Sequence, residues 1–109
     1  MMVMSMFQRK SAAVPVVPNE SLVRGKVMSI KQDAGAGGAE WQVMIKETRP
    51  VGNSPDFVQA YIGKTISVFV ARGAAGAVAE NDMIEAHLAY RGDERGGRFV
   101  LVGDGVRKL

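Results

Sequence analysis

MIEAHLAYRGDERGGRFVLVG (83–103) decides the fold. Ile84, Ala86, Leu88 and Tyr90 alternate with Glu85, His87, Ala89 and Arg91, the period of two that puts successive side chains on opposite faces of a strand. DERGG (93–97) is rich in turn formers, and RFVLVG (98–103) then alternates again, so the stretch predicts a β-hairpin. Upstream, TISVFVA (65–71) sets Ile66, Val68 and Val70 against Thr65, Ser67 and Phe69. WQVMIKETRPV (41–51) sets Trp41, Val43 and Ile45 against Gln42, Met44 and Lys46, and Pro50 and Gly52 end it. LVRGKVMSIKQ (22–32) sets Val23, Gly25 and Val27 against Arg24, Lys26 and Met28. Gly25 inside this strand predicts a bend or a close backbone approach.

Two other kinds of segment separate the strands. DAGAGGAE (33–40) and ARGAAGAVAE (71–80) read as Ala/Gly connections. SPDFVQAYIGK (54–64) carries helix signals: Ser54 as N-cap, Pro55 at the first helical position, Asp56 complementing the dipole and Gly63 closing the end. Its expected buried stripe is Phe57 and Tyr61, with Val58 and Ile62 as further candidates. Five strands and one short helix give an all-β or β-rich single domain, and a small closed barrel suits them because closure removes exposed edges. The prolines at 15 and 18 forbid a helix interior, so residues 1–20 read as a flexible arm and 21–109 as the barrel domain.

RGKVMSIKQ, WQVMIKE, TISVFV and ENDMIEAHLAYRGDERGGRFVLVGDGVRKL together resemble an oligonucleotide/oligosaccharide-binding (OB) fold. The resemblance covers roughly residues 22–109. It is strongest to replication protein A-like single-strand binders and to the anticodon-binding domains of class II aminoacyl-tRNA synthetases. It lies in Arg24-Gly25-Lys26-Val27 opening a strand, the turn Glu80-Asn81-Asp82 before the strand Met83 to Tyr90, and the hairpin Tyr90 to Phe99. It implies a five-stranded Greek-key barrel that binds single-stranded nucleic acid. An OB helix lies between the third and fourth strands, whereas the helix signals here lie between the second and third. An SH3-like or other small barrel is therefore the alternative.

The chain has 109 residues and a net charge of +3, with a basic start, an acidic middle and a basic end. Brought together, the two ends would form a mild basic face, the minimum footprint for a polyanion. The absence of cysteine excludes disulfides, thiolate metal sites and cysteine nucleophiles, and the single His87 excludes a multi-histidine site. Ser29 and Ser67 lie within strands, Asp93 and Glu94 point apart in a turn, and DAGAGGAE lacks the lysine and helix of a phosphate loop. These patterns predict a protein that is not an enzyme and carries no cofactor and no dedicated metal. The acid pairs Asp33 with Glu40 and Glu80 with Asp82 offer a hard cation too few ligands. No apolar run reaches membrane-spanning length and the opening lacks the order of a secretory signal, so the expectation is a cytoplasmic protein that does not enter a membrane.

Single-strand binding needs cations for phosphates and aromatic faces for bases. The outward parity offers Arg24, Lys26, Lys46, Phe69 and Arg91, and the hairpin adds Arg95 and Arg98. Trp41, Tyr90 and Phe99 have the inward parity and read as core. The competing expectation is a protein-interaction or assembly module. There Phe69 and the arm, which holds four of the seven methionines, lie between subunits of a homo-oligomer.

Overall fold

In a computed structural model the residues described are 17–32, 37–74, 77–93 and 96–109. Five strands follow in order: β1 Ser21–Gln32, β2 Ala39–Pro50, β3 Thr65–Val70, β4 Met83–Asp93 and β5 Gly96–Lys108. They close into one barrel in the order β1-β2-β3-β5-β4. All neighbours are antiparallel except β3 and β5, which run parallel and pair at Val68 with Phe99 and Phe69 with Val100. The expected all-β barrel is therefore present, closed and five-stranded. Among the described residues no helix is long and apolar enough to cross a membrane.

The inward parity fills the barrel. Val23, Val27, Trp41, Val43, Ile45, Ile66, Val68, Val70, Ile84, Ala86, Leu88, Phe99 and Leu101 form one buried cluster. Each large aliphatic side chain so buried contributes roughly 1.5–3 kcal/mol before entropy is charged against it. Gly25 lies where β1 shifts register against β2, and a Cβ there would sit 2.5 Å from the Met44 carbonyl oxygen. This is the close backbone approach that a glycine in mid-strand signalled. At the next irregularity Met28 drops out of the β1–β2 ladder, while Val27, paired there with Val43, turns its backbone N–H and carbonyl to the chain before β4. Its N–H donates to the Asp82 carbonyl and its carbonyl accepts from the Asn81 N–H, with Asn81 at φ 74°. Asparagine tolerates that left-handed geometry better than most residues.

The helix expected at 54–64 is reduced to a single 3-10 turn, Gln59–Tyr61. Its capping signals are used for other contacts. The Asp56 carboxylate accepts from the Val58 N–H, but also from Ser21 Oγ at 2.6 Å and from Thr48 Oγ1, which ties the segment to β1 and β2. Further on, Gly63 N–H donates to the Ile45 carbonyl, and Ile45 N–H donates to the Lys64 carbonyl. Backbone groups committed to β2 are not available for helical bonds. The stripe also inverts: Val58 is buried, while Phe57 and Tyr61 are each 38% exposed and Ile62 is 48% exposed. Between β3 and β4 the described residues make turns rather than a helix.

Of the stretch read as an arm, residues 1–16 lie outside the described residues. Asn19 is buried, and its side-chain amide pairs with the Tyr90 backbone, donating to its carbonyl at 3.0 Å and accepting from its N–H at 2.7 Å.

Candidate nucleic-acid interface

The strand β3 places Phe69 by alternation, since Val68 and Val70 are both buried and the ring between them is turned outward. The ring is half-buried rather than free. Gly38, at the end of the β1–β2 connection, packs so closely that a Cβ there would lie 2.5 Å from Phe69 Cζ. The Arg98 guanidinium carbon lies 4.1 Å from the ring centroid. That is within the range of a cation–π contact, worth about 0.5–1 kcal/mol at an exposed site. Arg98 faces outward because its neighbour Phe99 faces inward, and in the β4–β5 ladder Arg98 sits directly opposite Arg91, which is also exposed. Directly opposed residues share a face with Cβ atoms about 4.5–5.5 Å apart, where like charges repel. Two arginines and an aromatic ring are thus gathered on the outer surface across β4, β5 and β3. Arg72 joins their rim: it follows β3 by two residues, is exposed, and donates from Nε to the Gly37 carbonyl at 3.3 Å.

The other expected cations lie elsewhere. Arg24 on β1 donates from Nε to Glu85 Oε2 at 3.1 Å, and Arg107 binds the other oxygen of the same carboxylate at 2.8 Å. Lys26 is half-buried and pairs with Met44 on one side and Met83 on the other. Lys46 is exposed at the β1–β2 register shift. It is six residues along β2 from Glu40, the partner of Phe69, or about 20 Å at strand rise. The geometry therefore groups Phe69, Arg91 and Arg98, and sets Arg24, Lys26 and Lys46 on the β1–β2 side. Arg95 lies outside the described residues.

His87 and the acids Glu20, Glu80 and Asp82 are engaged in contacts of their own. His87 Nδ1 lies 2.8 Å from Glu20 Oε2. Glu80 accepts from the Ile30 N–H, and Asp82 accepts from the Ala79 N–H and sits 3.5 Å from Lys108 Nζ. Among the described residues no three His, Asp or Glu side chains gather as a metal site needs. The hydrogen bond from Arg107, followed by that from Arg24, holds the Glu85 carboxyl below its usual range. A carboxyl depressed in the folded state stabilises the fold above the ordinary carboxylate range and loses that contribution as pH falls through its folded value. Glu85→Gln is accordingly expected to lower the thermal midpoint slightly at neutral pH, since both arginines are exposed and solvent screens the pairs. The gap to wild type should close at acid pH and shrink in high salt. A gap that persists at low pH would show that the glutamate acts through something other than its charge.

Two features of the structure escape a strand-by-strand reading. Arg72 sits in a stretch read only as a connection, although the end of the β3 alternation at Val70 already places it at the barrel rim. Phe57 and Tyr61 read as core because a helix would have turned them inward. Comparison with protein-family models, with curated proteins and with solved structures returns no match.

Proposed function

We propose that this barrel is a non-enzymatic module that binds single-stranded nucleic acid with modest affinity, through Phe69, Arg91 and Arg98. The observation that carries the proposal is the Arg98 guanidinium over the outward Phe69 ring, with Arg91 directly across from Arg98. Two like charges held opposite each other cost stability, and a phosphate between them offsets that cost while a base stacks at the ring. The OB-like reading supports the same face. In that architecture the surface of strands two and three, with the connections 1–2 and 4–5, takes the oligonucleotide. Here Phe69 is on the third strand, Gly38 in the first connection, and Arg91 and Arg98 flank the turn between the fourth and fifth. Arg24, Lys26 and Lys46 contribute to the long-range field rather than to direct contacts.

The test is fluorescence anisotropy with labelled single-stranded DNA and RNA at low and moderate salt. Binding should weaken steeply with salt, because phosphate contacts release counterions. Phe69→Ala should cost about tenfold in affinity, the lower end of the range for one stacked base. Arg98→Gln should also reduce the salt slope by about one. No binding at low salt, or an affinity indifferent to salt, would leave the barrel without this role.

A further inference from the structure

The β4–β5 hairpin has two faces, and only one carries the arginines. On the other, Tyr90 and Phe99 pair across the strands with ring centroids 5.1 Å apart. The 51–64 loop folds against this second face. It brings Phe57 edge-on to Tyr90 at 6.4 Å and Tyr61 edge-on to Phe99 at 5.5 Å. Between them lies a groove of about 350 Å³ lined by Phe57, Ala60, Tyr61, Tyr90 and Phe99. All three contacts are edge-to-face, and Phe57 and Tyr61 remain partly exposed, so these two rings are the ones a planar guest can reach at the mouth of the groove. Gly97 is part of the construction: a methyl group there would overlap the Tyr90 ring, which lies across the strand at that point.

We propose that this groove holds a second base of the same single strand whose first base stacks at Phe69. The inference rests on the function proposed above and extends its footprint round the hairpin. Charge singles out the occupant. Arg91 follows Tyr90 and Arg98 precedes Phe99, so the two strands that floor the groove carry a cationic pair on their reverse side. An aromatic guest attached to an anionic backbone satisfies both faces of the hairpin at once, whereas an uncharged apolar peptide uses only one.

The experiment uses the full chain and two labelled oligonucleotides of about 4 and about 12 nucleotides, near the two ends of the range one such barrel covers. Tyr61→Ala should leave the affinity for the shorter strand unchanged and weaken the longer roughly tenfold, while Tyr61→Phe, which keeps the ring, binds both like wild type. Phe57→Ala should reproduce the Tyr61→Ala pattern; both side chains are partly exposed, so neither variant removes core. Phe69→Ala should weaken both strands. If Tyr61→Ala and Phe57→Ala bind the longer strand like wild type while Phe69→Ala does not, the groove proposal falls and the Phe69 face stands. If wild type binds neither strand, both fall. If light scattering shows a wild-type dimer that Tyr61→Ala converts to monomer, the groove is an interface between copies and the proposal is overturned.

Discussion

Trp41→Ala is expected to destabilise the barrel by about 3–5 kcal/mol, the cost of removing a large aromatic from a closed core. Trp41 is 1% exposed on β2, between Ile30 of β1 and Val68 of β3 in the ladders, so its loss opens a void that two hydrogen-bonded neighbours prevent from collapsing. A shift of the urea midpoint of that size, with an unchanged slope, would confirm a purely structural role. The same variant separates core from platform. Under conditions where circular dichroism shows it folded, its affinity for single strands should equal that of wild type. A loss of affinity in the folded variant would mean that the indole, and not only Phe69, touches the ligand.

Gly25→Val is the second substitution with a large expected cost, about 3 kcal/mol, at the upper end of typical overpacking penalties. Its Cβ meets the Met44 carbonyl oxygen at 2.5 Å and Val43 Cγ1 at 3.0 Å. The first of these is backbone and does not swing aside as a side-chain tip does. Nor does the strand have room to retreat, because Gly25 is paired to Ile45 on one side and to Ile84 on the other. Gly25→Ala should show a smaller effect of the same sign. Denaturant midpoints that match wild type for both variants would show that β1 and β2 part at the register shift without penalty.

These two positions were legible in the sequence because their causes are local and periodic. Strict alternation through Val23, Val27, Trp41, Val43, Ile45, Ile66, Val68 and Val70 names the buried face whatever the strand order, and a glycine in such a run signals a close approach. The 54–64 segment was misread for the opposite reason. Its caps are genuine local signals, but the groups that decide its course are Ser21, Thr48 and Ile45, up to 35 residues away. Arg24 shows the same limit at the surface: its outward parity is correct, but its carboxylate partner Glu85 is 61 residues on. Parity placed Phe69 outside and the hairpin offered Arg98, but the parallel pairing of β3 with β5 that stacks one on the other is a property of the closed barrel alone.

The pairing of Asn19 with Tyr90 bears on solubility. At Ser21 and Leu88 the ladder between β1 and β4 ends, yet β4 continues past it into the hairpin, where its next backbone groups would form an open edge. A carboxamide presents the same donor and acceptor as a peptide group. Asn19 therefore fills the Tyr90 N–H and carbonyl as one further residue of strand would, without offering a strand of its own for the next chain to extend. An unpaired edge at this point would be a template for intermolecular β-pairing and aggregation. One asparagine thus lets the hairpin project from the barrel, carrying arginines on one face and aromatic rings on the other, while the strand edge at its base stays closed to other chains.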